Sequence, residues 1–242
     1  MYSKLLKYRV VFLFPALSFM GCELENPVAP VDGCDMFSFS TDSESILADS
    51  SSQMAITVHI NENVGQPKKV KFGTNFGYLD STYNFGDTPV KELAINAKNR
   101  VVKVILKSET NFTENAFITA FIGNNSCSIK IPVKWAYPED MILTARKVKF
   151  ASGTSKDSTI IKVSLFRQSG KVTNSSKVNF SIITTDSSKV QADITPFSLS
   201  KNQMANATLR RYSNDTGEFF VKAETQNNIG GTIAKTIKIT FE

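Results

Sequence analysis

The chain has 242 residues, 41% hydrophobic and 21% charged, enough for one large domain or two of about 100 residues and too apolar for a disordered tail. One histidine and three cysteines cannot supply a zinc site of the usual spacing, and a Ser-His-Asp triad would have to use His59. The net charge of +6 belongs partly to the N-terminus, because the first 21 residues hold three of the 28 basic residues and none of the 22 acidic ones, leaving the remainder at +3.

Lys4, Lys7 and Arg9 form a positive start, Val10 to Leu17 is an apolar stretch interrupted by Pro15, and Ser18-Phe19-Met20-Gly21-Cys22 follows. This is the layout of a secretion signal over residues 1–21. The apolar run to Met20 is about 11 residues long, short of the roughly 20 that span a bilayer. The junction resembles the lipobox of bacterial lipoproteins, with small Gly21 directly before Cys22, although Phe19 and Met20 depart from the pattern. The resemblance implies acylation of Cys22, which would hold the mature protein on a membrane. An ordinary signal peptide cut nearby is the alternative.

Residues 22–35 read as a tether, since Glu23-Leu24-Glu25-Asn26-Pro27-Val28-Ala29-Pro30 is acidic at its start and carries two prolines. Acidic residues just behind the cysteine resemble the surface-export signal of Bacteroidota lipoproteins. That implies the outer membrane and its cell surface, with the periplasmic face as the alternative.

From Asp35 onward the apolar period is two. Ile56 to Ile60, Val70 to Phe72, Phe117 to Phe121, Ile129 to Val133, Ile161 to Leu165, Phe180 to Ile182, Phe219 to Ala223 and Ile237 to Phe241 read as half-buried strands. The expected fold is all-β. Gly123-Asn124-Asn125 and Asn227-Asn228-Ile229-Gly230-Gly231 read as hairpin turns. The basic clusters Lys68, Lys69, Lys71, then Arg146, Lys147, Lys149, then Arg210, Arg211 are short and read as solvated strand faces, so no nucleic-acid partner is expected.

The halves repeat. Ile56, Val58 and Ile60 match Ile161, Val163 and Leu165; Gly65 matches Gly170; Val70 and Phe72 match Val178 and Phe180. Later, Ile118-Thr119-Ala120 matches Val221-Lys222-Ala223, and Ile129-Lys130-Ile131 matches Ile237-Lys238-Ile239. This pattern is similar to bacterial immunoglobulin-like domains of the invasin and intimin type. The resemblance covers residues 36 to 242 and implies two tandem sandwiches, 36–135 and 142–242, joined by a linker at 136–141. It places Gly77-Tyr78-Leu79 after the Phe strand and Asp49 in the turn before the second strand. Its motifs are structural, so they specify fold better than activity.

Trp135-Ala136-Tyr137-Pro138-Glu139-Asp140 lies between the copies and predicts a semi-rigid joint in which the two aromatics are buried, a ligand groove being the alternative. Glu139 and Asp140 are too few for the six to eight oxygens calcium takes. His59 alternates with apolar neighbours and is expected to face solvent. No catalytic, metal or cofactor site is expected.

For binding, Phe76, Tyr78, Tyr83 and Phe85 cluster in loop-like sequence and are candidate ligand contacts, or else plugs for the sandwich end. Asp80-Ser81-Thr82 and Asp157-Ser158-Thr159 resemble Bacteroidota O-glycosylation acceptors at Ser81 and Ser158, although Asp before Ser is also common turn chemistry. With Cys22 acylated, Cys34 and Cys127 remain, and an exported protein tends to pair them. The sandwich topology implied by the resemblance brings the start of the first strand beside the start of the last; two free thiols are the alternative.

The functional reading is an enzyme-free, membrane-anchored envelope protein that binds, adheres or spaces through a protein or glycan partner. The alternative is a glycan-capture accessory lipoprotein of a polysaccharide uptake system.

Overall fold

Alternation of side chains fixes the architecture. In β3 (Gln53–Ile60), Met54, Ile56, Val58 and Ile60 are buried while Gln53 and His59 are exposed, so one face of the strand belongs to a core and the other to water. The structure is a computed structural model describing residues 34–62, 64, 69–81, 90–152, 157–184, 190–212 and 214–242. The signal segment, Cys22, the tether to residue 33, Gly65, Lys68, Thr82, Tyr83 and Phe85 lie outside the described residues. Among the described residues there are only strands, turns and loops.

The first sandwich packs two antiparallel sheets. One runs β1 (Phe37–Thr41), β3, β7 (Val101–Lys107), β5 (Tyr78–Ser81). The other runs β2 (Ile46–Leu47), β9 (Asn125–Lys134), β8 (Asn115–Ile122), β4 (Lys69–Thr74), β6 (Glu92–Asn96), with β2 parallel to β9. Their inner faces meet in a core that includes Met54, Ile56, Phe72, Phe76, Leu106, Ile118 and Ile131. Each such side chain contributes about 1.5–3 kcal/mol on burial.

The second sandwich repeats the scheme. Its sheets are β10 (Asp140–Ala145), β12 (Ser158–Phe166), β16 (Met204–Arg211), β14 (Ala192–Ile194), and β11 (Lys149–Phe150), β18 (Thr232–Phe241), β17 (Gly217–Gln226), β13 (Lys177–Thr184), β15 (Phe197–Leu199). The pair β11 and β18 is parallel, as β2 and β9 are. The matched sequence segments occupy equivalent strands: β3 with β12, β4 with β13, β8 with β17, β9 with β18. The second core is separate, built on Phe150, Leu165, Phe180, Leu209, Phe219 and Phe241.

Cys34 and Cys127 form a disulfide with Cα atoms 5.4 Å apart. Its route differs from the expected one. The parallel neighbour of β9 is the two-residue β2, whereas Cys34 precedes β1 in the opposite sheet, so the bond ties sheet to sheet across the sandwich.

Arg211 corrects the reading of the basic clusters as solvated. It is 1% exposed, the inward residue at the end of β16, and its guanidinium donates to the carbonyls of Ala151 at 3.0 Å and Asp215 at 2.8 Å. The cation lies 4.6 Å from the Phe241 ring centre, and that ring meets Phe150 and Phe219 edge-on at 4.9 and 5.0 Å. Arginine suits such a place because its planar fork satisfies several acceptors without losing charge.

Candidate functional site

Of the predicted aromatic cluster, Phe76 and Tyr78 fall among the described residues and Tyr83 and Phe85 outside them. Phe76 is 1% exposed and fills the first core, with its backbone held by Thr74, whose hydroxyl donates to Phe76 O at 2.7 Å. Gly77 turns the chain at φ +62°, and a Cβ there would meet the Lys107 carbonyl oxygen at 2.0 Å, so only glycine fits. Tyr78 is on β5, not in a loop, and is 36% exposed, with the Lys91 ammonium 5.0 Å from its ring centre. Lys91 also pairs with Glu109 at 3.1 Å, and Glu109 accepts the Gly77 N–H at 2.9 Å. Phe76 therefore serves packing, and Tyr78 lies half-exposed beside Lys91.

The chemistry instead gathers where the sandwiches meet. Asp49, after β2, is 2% exposed, and its carboxylate accepts the N–H of Ser51 at 2.9 Å and of Ser52 at 2.7 Å, and the hydroxyls of Ser51, Ser52 and Ser108. Burial pushes this carboxyl up, but the N–H groups of Ser52 and Ser51 with the hydroxyls of Ser108 and Ser52 together hold it below the ordinary carboxylate range. The nest fixes a loop whose carbonyls face the second sandwich. Asp49 O accepts the Lys171 N–H at 2.7 Å, and Ala48 O accepts the Thr173 hydroxyl at 2.8 Å. Thr173, fully buried, also accepts the Ala136 N–H at 2.8 Å and donates its own N–H to Ala136 O at 3.0 Å. A second seam runs from Asn174, whose N–H donates to Thr110 O at 2.8 Å and whose amide donates to Thr110 Oγ1 and Asn111 Oδ1, both at 3.0 Å. Gly170, at φ +71°, passes so close that a Cβ would lie 2.4 Å from Ser51 Oγ.

Beside this seam, three rings follow one another, tilted by 51° from Phe112 to Trp135 and by 39° from Trp135 to Tyr137. Phe112 lies 4.7 Å from Trp135, and Trp135 lies 6.2 Å from Tyr137, ring centre to ring centre. Phe112 is 41% exposed, while Trp135 and Tyr137 are half-buried, so the expected burial of both aromatics is only partial. Trp135 Nε1 donates to Ser176 Oγ at 3.3 Å, fixing the indole against the second sandwich. Trp135, Tyr137, Ser175, Lys177, Thr225 and Gln226 line a cleft of about 250 Å³. Sequence reasoning named Trp135 and Tyr137 but missed Phe112, Lys177 and Gln226, which no local pattern links to them.

The acidic pair at the linker is structural. Asp140 opens β10, inside the segment expected to be linker, and pairs with Lys235 at 3.1 Å, while Glu139 accepts the Gln168 N–H at 2.8 Å. The Met141 N–H, then Lys235, hold the Asp140 carboxyl below its ordinary range. Among the described residues no three His, Cys, Asp or Glu side chains converge as metal ligands. At the two Asp-Ser pairs, Asp80 accepts the Ser81 N–H at 2.8 Å and Asp157 accepts the Ser158 N–H at 2.7 Å. Each aspartate also pairs with a lysine, Lys107 and Lys147 respectively.

Two nine-stranded sandwiches in tandem, each with its short parallel strand, have the bacterial immunoglobulin-like fold of the invasin type. The chain is similar to the adhesin InvE of Yersinia pseudotuberculosis, with a TM-score of 0.52 at 15% identity over 85% of this chain and 58% of that one. It is also similar to invasin, a bacterial integrin-binding protein, with a TM-score of 0.56 at 13% identity over 85% of this chain and 39% of that one. At such identities the likeness is one of fold, and this chain spans less than two thirds of either structure. No family model and no curated protein matches the sequence.

Proposed function

We propose that the chain is a lipoprotein of the bacterial envelope, acylated at Cys22 and displayed at the outer-membrane surface. Its two sandwiches serve as a stiff arm for adhesion or for spacing a binding face from the lipid. The observation that carries the reading is the joint: Ala48, Asp49 and Thr110 of one sandwich are hydrogen-bonded to Lys171, Thr173 and Asn174 of the other, so the connection is a seam and not a free hinge. The adhesin likeness in fold and the Gly21-Cys22 junction support it. The arm works by binding and needs no catalytic group. Membrane fractionation with Cys22→Ser is the test: the unmutated protein sediments with lipid, the variant is released, and protease added to intact cells removes the surface-exposed arm. Soluble recovery of the unmutated protein would refute the anchor. The half-exposed rings at the joint favour a second reading, capture of glycans.

A further inference from the structure

We infer that the cleft at the joint is a saccharide subsite, with Trp135 and Tyr137 as its aromatic lining and the exposed Gln226 and Ser175 as its polar lining. The inference rests on the glycan-capture reading and moves the site away from Phe76 and Tyr78, the first of which is spent on the core. Three observations carry it.

First, the cleft combines two chemistries. The lining joins two aromatic side chains to the exposed Ser175 and Gln226, and it holds no carboxylate. A pyranose has the matching character, with a flat C–H face to lie on an indole or phenol ring and a rim of hydroxyls to meet the polar groups. Lys177 lines the cleft but carries its ammonium 4.9 Å from the ring centre of Phe197, which lies outside the lining, so the lining suits a neutral sugar.

Second, the wall is held before any ligand arrives. The indole is pinned by its bond to Ser176, whose hydroxyl in turn donates to Thr173 O at 2.8 Å, and Phe112 backs it at 4.7 Å. Thr225, 3% exposed, donates its hydroxyl to Lys177 O at 2.9 Å and so ties β17 to β13 beside the cleft. A preformed wall spares the ordering cost that weakens flexible sites.

Third, the cleft offers no peptide-like pairing. Its strands β13 and β17 are both flanked, β13 by β15 and β17, and β17 by β13 and β18, so no strand edge is open there for an added peptide. Recognition must run through ring faces and side chains.

Trp135 is the single tryptophan of the chain, so its emission reports this cleft alone. The purified protein is applied to an array of immobilised glycans and then titrated with the best soluble oligosaccharide found there. A β-1,4-linked N-acetylglucosamine trimer and an oligogalacturonate serve as standing probes. The expected result is a saturable change in Trp135 emission, with binding weakened at least tenfold by Tyr137→Ala and severalfold by Gln226→Ala. Gln226 is exposed and its change leaves the joint intact, so a loss there is not misfolding. Tyr78→Ala is expected to bind as the unmutated protein does. Array binding that persists in both cleft variants would leave glycan capture standing and overturn this site. No binding to any glycan, or capture of a proline-rich peptide at Trp135 instead, would overturn both, while the membrane anchor would remain a separate matter decided by fractionation.

Discussion

The two sandwiches share one strand order and close it by different means. The first is fastened covalently, Cys34 before β1 to Cys127 in β9, across the two sheets. The second contains no cysteine and instead seats a buried arginine against Phe241, whose ring is packed by Phe150 and Phe219. A fold of about 100 residues has little core to spare, and the comparison shows two routes to the same end. One restricts the unfolded chain; the other adds contacts to the folded one.

Breaking the covalent clasp has the largest expected effect. Cys34→Ser with Cys127→Ser removes a 93-residue closure, which chain-entropy reasoning sets at about 4–5 kcal/mol. Urea unfolding followed by a probe in each sandwich checks it: the first transition falls, and the second stays put unless the seam couples the two. Arg211→Ala attacks the other fastening. It opens a cavity and strips donors from the carbonyls of Ala151 and Asp215, at a cost of about 3–5 kcal/mol, confined to the second transition in the same assay.

The seam sharpens the comparison, since it decides whether the sandwiches unfold separately. Thr173→Val keeps the shape but leaves Ala48 O and Ala136 N–H without their hydroxyl partner, about 1–3 kcal/mol. The expected outcome is two transitions that move apart, seen by calorimetry; a single unmoved transition would show that the seam contributes nothing.

Acid gives the smallest effect and a known sign. Asp49 is held below its unfolded value of about 3.9, so its contribution is fully present above that pH and is lost as pH falls through the folded value. Asp49→Asn should flatten the acid limb of stability of the first sandwich below about pH 4. An unchanged limb would place the acid sensitivity elsewhere.

The same elements show how far the sequence could be read. β3, β4, β8, β9 and their partners in the second half announce themselves because their inward residues are large and apolar and their outward ones polar. β16 does not, because its inward set is Ala205, Ala207, Leu209 and Arg211, small residues and a cation that no search for apolar alternation selects. β7 hides for the opposite reason: Val101 and Ile105 on its other face are themselves apolar, which blurs the period. β2 and β11, two residues each, are too short to carry a period at all. The cleft is illegible for a further reason. Phe112, Trp135, Lys177 and Gln226 are brought together only by the joint, and the joint depends on Asp49 and Gly170, residues whose local sequence signals a turn and nothing more.

The disulfide also has a mechanical consequence. Tension entering on the N-terminal side of Cys34 and leaving through Trp135 crosses the sulfur bridge into β9 and runs along that strand to the joint. The chain between the two cysteines, 93 residues in sequence, is bypassed. Roughly 300 Å of contour that would otherwise pay out under load stays locked in the loop. Pulling single molecules with and without reductant would display this as a missing length. Under load the first sandwich is expected to behave as a bead crimped onto a cord, and the second, with no such crimp, to be the part that lengthens.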